Sequence, residues 1–139
     1  MADTFQLEVA TPDRLLVKEQ VREAQIPAAR GYIGVLPEHS PFLELLGIGE
    51  LTYVTEGRRS AGLAVAGGFV EVLPDRVRVL AERAERAEEI DVERARRALE
   101  RAEQRLKNPL EGKVDIARAL NAMKRAQARL RASELRQRG

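Results

Sequence analysis

The first half of this chain takes its fold from one stretch, Phe69-Val70-Glu71-Val72-Leu73-Pro74-Asp75-Arg76-Val77-Arg78-Val79-Leu80. Apolar and polar residues alternate on both sides of Pro74-Asp75, and such a period of two is typical of half-buried β-strands. Pro and Asp favour turns, so the stretch predicts two antiparallel strands joined at this dipeptide. Gly67-Gly68 interrupts the apolar run ahead of Phe69 and marks a break before the first strand.

Short strands with similar punctuation extend from this hairpin back towards the N-terminus. Phe5 to Val9 alternate in the same way, and Glu56-Gly57 separates Leu51–Thr55 from Arg59–Val65. Many short strands at this spacing predict an antiparallel β-sandwich or flattened barrel over residues 1–81.

The period changes to that of α-helices after residue 90. Apolar residues recur at steps of three and four in two stripes, which are Ala95, Ala98, Leu99, Ala102 and Leu106, and then Ile116, Ala119, Leu120, Met123, Ala126 and Leu130. Asp91 and Asp115 stand where helix N-caps belong, and Asn108–Gly112 combines a helix stop with a flexible residue. Residues 91–139 therefore predict a C-terminal antiparallel αα-hairpin, and the fold class is α+β. Because alanine buries little apolar area, we expect a marginal hairpin that can dock on the sandwich or leave it.

The charge is distributed unevenly between the two predicted modules. Residues 1–90 carry 10 Lys and Arg against 15 Asp and Glu, whereas residues 91–139 carry 14 against 7. An acidic module joined to a basic one indicates two surfaces with different partners. Residues 82–90 are strongly charged and are predicted to be a connector. One interpretation of the segment Ala81 to Glu89 is a last strand followed by a solvated linker, which suits a hinge between modules.

The composition excludes several classes of function. The chain has no Cys and one His, His39, so disulfides and thiolate zinc sites are excluded and no site for a metal is expected. Scarce aromatic residues argue against nucleic-acid binding. No stretch approaches the roughly 20 apolar residues that cross a bilayer, and the N-terminus lacks signal-peptide features, so we expect an intracellular protein that meets the membrane only indirectly.

A shaped loop links this sequence to a known family. The pattern Gly31-x-x-Gly34-Val35-Leu36-Pro37-x-His39-x-Pro41 resembles the signature loop of the epsilon subunit of bacterial F-type, proton-translocating ATP synthases. The opening Leu7-x-Val9-x-Thr11-Pro12 and the segment Gly67–Val72 are similar to the same family. The resemblance spans nearly the whole chain.

The resemblance implies a subunit of the central stalk that is not an enzyme and requires no cofactor. In the family, the sandwich is held by the gamma subunit of the rotor shaft and sits on the membrane c-ring. The chain would then be a peripheral subunit at the cytoplasmic face of the bacterial inner membrane. The residues implied to contact the rotor are Gly34, Val35, Leu36, Pro37 and His39.

A second motif, Ile90-Asp91-Val92-Glu93-Arg94-Ala95, is similar to the Ile/Leu-Asp-x-x-Arg-Ala motif that is linked to ATP binding in some epsilon subunits. The resemblance implies ATP as a regulatory ligand of Ile90, Asp91, Arg94, Ala95, Arg101, Arg125 and Arg129, with Glu85 as a further candidate. The alternative is that Asp91 only caps a helix and the arginines form a solvated face. The sequence also contains an internal repeat, in which the pattern of Ile90 to Leu106 recurs 24 residues later in Val114 to Leu130. Its segment Asp115-x-x-Arg118-Ala119 therefore matches most of the motif as well.

The predicted hairpin supports an anion site independently. A turn near residues 110 and 111 would place Arg125 and Arg129 beside the start of the first helix, close to Arg94. Backbone amides, the helix dipole and guanidinium groups would there favour a phosphate.

The basic C-terminal end suggests a further partner. Residues 115–139 carry 7 Lys and Arg against 2 Asp and Glu. The resemblance implies that this helix can extend into the catalytic head and meet the beta and alpha subunits, which would inhibit ATP hydrolysis, and that ATP favours the folded-down state. Two rival interpretations are a nucleotide-sensing adaptor protein outside the motor and a small enzyme with a carboxylate pair. No second His, metal motif or pocket signature supports the enzyme.

Overall fold

A computed structural model describes residues 3–108 and 115–137, without the side chains of residues 136 and 137. Seven strands come first: β1 (Phe5–Ala10), β2 (Leu15–Ala28), β3 (Gly31–Val35), β4 (Phe42–Leu45), β5 (Ile48–Thr55), β6 (Ser60–Val72) and β7 (Arg76–Arg86). A 3-10 turn at Ala87–Glu89 leads to α1 (Val92–Lys107), and α2 (Ile116–Ser133) ends in a second 3-10 turn at Glu134–Gln137. The predicted α+β fold, a sandwich followed by a two-helix hairpin, is confirmed. The predicted interhelix turn falls largely outside the described residues.

The strands form one closed sheet rather than two separate ones. Their order is β1-β7-β6-β5-β2-β3, β4 pairs with β6, and β1 pairs with β2 as well as with β7. All described pairings are antiparallel except that between β1 and β7. The hairpin predicted from Phe69 to Leu80 is present, with Val72 opposite Val77 and Phe69 opposite Leu80. Alternate residues such as Phe5, Leu7 and Val9 fill the core.

Gly67-Gly68 reverses which residues of β6 face the core. Leu63 and Val65 point into the core before the pair, whereas Val70 and Val72 do so after it. The two glycines have φ of +70° and +116°, and a Cβ on Gly68 would collide with the carbonyl oxygen of Leu80. Positive φ of this kind is readily accessible only to glycine. The reversal turns the first half of β6 so that its small residues can face the hairpin.

The connector predicted at residues 82–90 is mostly strand. β7 continues to Arg86, with Arg83 opposite Ala66 and Glu85 opposite Ala64, so the predicted boundary at residue 81 lies inside a strand. The charged side chains are compatible with a strand because β6 supplies the backbone partners and one face remains in solvent. The sandwich therefore ends about five residues later than predicted.

The hairpin docks on the sandwich through small residues. α2 packs against β5 and β6, and α1 packs against α2. The buried apolar residues of the described parts of the two helices are all alanines: Ala95, Ala102, Ala119, Ala126, Ala128 and Ala132. Asp91 and Asp115 cap the helices as predicted, since their carboxylates accept hydrogen bonds from the amides of Arg94 and Arg118 at 3.1 Å. The alanine stripe expected of a marginal hairpin is present.

Candidate functional site: an arginine-lined cavity between sandwich and hairpin

A cavity of about 520 Å³ lies between the sandwich and the hairpin. The space exists because small residues line it from both modules. They are Ala64, Ala66 and Ala84 from the strands, and Ala98, Ala102, Ala122 and Ala126 from the helices. On a helix, residues four apart share a face, so each helix presents a pair of alanines to the cavity. The volume is within the usual range of about 300–1,000 Å³ for small-molecule sites.

Arginines surround this cavity. Arg101 and Arg105 come from α1, Arg125 and Arg129 from α2, Arg83 from β7, and Arg14 from the loop between β1 and β2. The helical arginines again stand four residues apart, and each follows one of these alanines by three residues, which places both kinds of residue on one face. We refer to this space as the arginine cavity.

Acidic side chains neutralise two of these arginines. Nε of Arg129 lies 2.6 Å from Oε1 of Glu85 on β7, and Nη2 lies 3.4 Å from the other carboxylate oxygen. The Nε–H bond does not point at that oxygen and has no acceptor among the described residues. Arg14 forms a two-point contact with Glu89, with distances of 2.7 and 2.8 Å.

Arg125 has a different environment. Burial lowers the pKa of its guanidinium, and the positive charges of Arg83 and Arg118 lower it further. No carboxylate in the described part of the chain forms an ion pair with Arg125. A partly buried cation among like charges attracts an anion, and phosphate oxygens match the planar guanidinium especially well.

The structure brings together four of the eight residues predicted for ATP. Those that line the arginine cavity are Glu85, Arg101, Arg125 and Arg129. Ile90 is instead buried in a small cluster with Ala64, Ala128 and Ala132, and Asp91 caps α1. Ala95 is buried. Arg94 is exposed and lies one turn before Ala98, on the same face of α1.

The predicted cluster of arginines at the start of α1 therefore lies further along the helix. Arg101 and Arg105 line the cavity together with Arg125 and Arg129, whereas Arg94 does not. Arg14, Arg83 and Arg105 line the cavity and were missed from the sequence. The internal repeat could have indicated Arg105, which corresponds to Arg129 in the second helix. Arg83 lies in the segment predicted to be a connector, for which we assigned no side chain to a face of the sheet.

The predicted rotor loop is partly accessible. Gly34 and Leu36 are exposed, whereas Val35 is buried in the core. His39 packs its ring edge on Phe5 with centroids 5.6 Å apart, and neither ring nitrogen has a hydrogen-bond partner among the described residues. Pro37 is half-buried.

An exposed apolar row crosses the sheet. Leu45 lies opposite Phe69, Phe69 opposite Leu80, Leu80 opposite Ala10, and Ala10 opposite Leu15. The four large members are each more than half exposed. Contiguous exposed apolar residues of this kind mark interaction surfaces. We call Leu15, Leu45, Phe69 and Leu80 the apolar row.

Within the described residues, no group of three or more His, Cys, Asp or Glu side chains is placed to hold a metal ion. Neither described helix is long and apolar enough to cross a membrane.

Comparison with known proteins accounts for both modules. Residues 4–87 match the family described as ATP synthase, Delta/Epsilon chain, beta-sandwich domain, and residues 88–134 match the long alpha-helix domain of the same chain. This chain belongs to the ATP synthase delta/epsilon family. The division between the two epsilon domains falls just after the end of β7.

Individual epsilon relatives agree with this assignment. The ATP synthase epsilon chain of Solibacter usitatus is 61% identical over 112 residues, which is 81% of this chain and 83% of the relative. That of Koribacter versatilis is 56% identical over 106 residues, or 76% of this chain and 74% of the relative. A chain of the Euglena gracilis mitochondrial ATP synthase, solved as OSCP, F1 and c-ring, has a TM-score of 0.80 at 28% identity and covers 96% of this chain and 83% of its own. The predicted resemblance to the epsilon subunit is confirmed.

Proposed function

We propose that this epsilon subunit is a non-catalytic part of the central stalk and a ligand-controlled brake on ATP hydrolysis. Its sandwich would join the gamma shaft to the c-ring, and its hairpin would obstruct rotation when it leaves the sandwich. ATP in the arginine cavity would hold the hairpin down. The observation that carries this proposal is the cavity itself, which lies between two modules that meet largely through alanines.

The docked state is easily shifted by a ligand. Alanine side chains bury little apolar area, so the free energy that holds the hairpin is small. A ligand that needs both modules binds only the docked state and shifts the equilibrium by its differential affinity. At a concentration of 100 times its dissociation constant, such a ligand contributes about 2.7 kcal/mol.

The chemistry of the cavity suits a nucleoside triphosphate. Six arginines line it, and four of them have no ion pair with a described residue. Guanidinium groups bind phosphate oxygens through two parallel hydrogen bonds. ATP is therefore the regulatory ligand that we propose, with Arg101, Arg125 and Arg129 as the matching family positions.

The brake would use the basic face of α2. Arg118, Lys124 and Arg131 are exposed in the docked state, and opening would add Arg125 and Arg129 from the cavity. A helix with these charges complements an acidic segment of the catalytic beta or alpha subunits. Salt should weaken such docking, because charge pairs at an interface are screened.

The rotor contacts would use the apolar row together with the loop at Gly34–His39. The apolar row is exposed and lies on β2, β4, β6 and β7. Gamma and the c-ring are the partners that we propose for it. Membrane association would then be peripheral, through those partners, at the cytoplasmic face of the bacterial inner membrane.

The brake is tested by hydrolysis in the assembled motor. Complexes that contain a chain ending at Glu89 should hydrolyse ATP faster than complexes with the whole chain, since the hairpin is gone. Equal rates would contradict inhibition by the hairpin. Binding of the regulatory ATP is tested by calorimetry on the whole chain.

Calorimetry should show saturable ATP binding that Arg101→Gln with Arg125→Gln abolishes. The matched control is Arg96→Gln, which removes an arginine from another face of α1, where it pairs with Glu93 at 2.7 Å. Loss of binding in the control as well would show that overall charge, not the cavity, is responsible. An adaptor outside the motor would bind ATP but fail to capture the gamma subunit.

A further inference from the structure

We propose that the phosphate groups of the ligand lie between Arg83 of β7 and Arg125 of α2. Arg83 would then be a binding residue that the sandwich supplies, and the anion would join the two modules directly. This inference rests on the proposed binding of ATP in the arginine cavity, and it adds the position of the phosphates and a residue that the family motif does not contain.

Strand pairing directs Arg83 towards the cavity. Arg83 lies opposite Ala66, and Glu85 lies opposite Ala64. Residues that are directly opposite in an antiparallel pair project to the same face of the sheet. Ala64 packs with the buried alanines of α2, and Glu85 pairs with Arg129 of α2, so this face is the one that carries the hairpin.

The pairing of charges indicates which arginines are available. Glu85 occupies Arg129, and Glu89 occupies Arg14. Arg83, Arg101, Arg105 and Arg125 also line the cavity, and none of them has an ion pair among the described residues. The end of the cavity near Glu85 and Arg129 is close to neutral and attracts a triphosphate less than the remainder does.

Arg83 and Arg125 also repel one another. The charge of Arg83 is, after burial, the next largest cause of the lowered pKa of Arg125. These two cations belong to different modules, so their repulsion opposes docking when no ligand is present. An anion between them replaces this repulsion with two attractions.

Arg83 consequently senses whether the anion is present, as well as binding it. With an anion bound it should stabilise the docked hairpin, and without one it should destabilise it. A residue with only a structural role would change docking in the same direction in both conditions. Removal of Arg83 should therefore weaken ATP binding and also tighten docking in the absence of ATP.

The test uses the full chain with two probes, ATP and inorganic tripolyphosphate, in calorimetry. We expect Arg83→Gln and Arg125→Gln each to weaken binding of both probes by about tenfold to a hundredfold, as for hydrogen bonds to charged groups. The double variant should lose less than the product of the two single losses, because both residues hold the same anion. Arg76→Gln is the matched control, since Arg76 is exposed on β7 and does not line the cavity.

Hydrogen exchange of the α2 amides, measured without ligand, supplies the second readout. Exchange should be slower in Arg83→Gln than in the unchanged chain, whereas Arg76→Gln should have no effect. Arg83 is exposed, so circular dichroism and urea unfolding should confirm an intact sandwich in each variant.

The outcomes separate this inference from the proposed function. If Arg83→Gln binds ATP as well as the unchanged chain while Arg125→Gln does not, the ATP site stands and the role of Arg83 is overturned. If tripolyphosphate binds in an Arg83-dependent way and ATP does not bind, the phosphate position stands and the choice of ATP fails. If neither probe binds at millimolar concentration, both proposals are overturned.

Discussion

The carboxylate of Glu85 and the guanidinium of Arg129 join the last strand of the sandwich to the second helix of the hairpin, with 2.6 Å between Oε1 and Nε. The side chains are 36% and 22% exposed, so water screens this pair less than a surface pair. It is the one ion pair between α2 and the sandwich in the described part of the chain. Because the remaining contacts of the helix are mostly alanines, this pair is a specific determinant of the docked state.

Glu85→Gln should loosen the docked hairpin, since it leaves the charge of Arg129 without its partner. We expect a loss of about 1–2 kcal/mol of docking free energy, between the values typical of exposed and of buried pairs. Faster hydrogen exchange of the α2 amides would measure this loss. Glu93→Gln is the matched control, because its ion pair with Arg96 is 67% and 60% exposed and lies within α1. If Glu93→Gln reduced the docking free energy as much as Glu85→Gln does, a special role for the Glu85 pair would be contradicted.

Leu135 and Gly62 should be energetically coupled. Leu135 follows α2 and lies directly over Gly62 of β6, so that a Cβ on Gly62 would collide with its Cδ1 atom and lie 2.9 Å from the carbonyl oxygen of Leu51. Leu135→Ala should weaken docking by about 1 kcal/mol through lost apolar burial. Gly62→Ala should lower the docking free energy more in the unchanged chain than in the Leu135→Ala background, because the collision with Cδ1 is removed there and only the close approach to the Leu51 oxygen remains.

A double-mutant cycle measures this coupling by urea unfolding and by exchange of the α2 amides. The control is Leu120→Ala, which truncates an exposed leucine of α2. If the losses of free energy caused by Gly62→Ala and Leu135→Ala were additive, the close approach of Leu135 to Gly62 would not matter for docking.

The ion pair between Arg14 and Glu89 should make stability depend on pH in the acidic range. The hydrogen bonds from Arg14 are the largest cause that lowers the pKa of the Glu89 carboxyl, and the amide of Arg86 adds to it. Partial burial opposes them, and together these effects bring the pKa to about 2. A carboxyl whose pKa is lower in the folded state contributes stability above its ordinary value of 4.5 and loses this contribution as the pH falls towards 2. The difference in unfolding free energy between the unchanged chain and Glu89→Gln should be constant near neutral pH and shrink between pH 4.5 and 2.

Urea unfolding at pH 7 and at pH 3 provides this comparison. Glu88→Gln is the control, because Glu88 is an exposed neighbour with no ion pair among the described residues. If the effect of Glu89→Gln were the same at both pH values, the ion pair could not be its cause.

Phe69→Ser should weaken capture of the gamma subunit while leaving the chain stable. Phe69 lies in the middle of the apolar row with its side chain 51% exposed, so the free chain loses little buried area. A central aromatic residue is the type that contributes most to an interface, and we expect a loss of about 2 kcal/mol of binding free energy. Ile116→Ser, at a residue 53% exposed at the start of α2, is the matched control. Equal loss of gamma in pull-down assays of both variants would exclude the apolar row as the docking surface.

Local patterns in the sequence were enough to predict most secondary-structure elements and the fold class. Alternation around Pro74-Asp75 predicted the adjoining parts of β6 and β7, although the break predicted at Gly67-Gly68 lies inside β6. The steps of three and four after residue 90 predicted α1 and α2 with their Asp caps. These features depend on residues close together in the chain, through side-chain period, turn preference and capping. The family motifs added the identity of the chain.

Long-range pairing explains what the sequence did not predict. Residues 82–86 resemble a solvated linker until β6 supplies their hydrogen-bond partners, so the end of the sandwich was placed too early. The position of the arginines was displaced along α1, because it depends on how two alanine stripes align. The apolar row was also missed, since its members come from separate strands and meet only in the folded sheet.

The sequence by itself determined two modules of different period, a sandwich and a helical hairpin, because each period follows from the geometry of its own backbone. It also determined that the helices would meet through alanine and that arginine would be abundant beside it. Only the tertiary structure decided which arginines are neutralised and which face one another across the cavity. That choice depends on strand register and helix docking, which place Glu85 against Arg129 and Arg83 near Arg125, although each pair is separated by more than forty residues of chain.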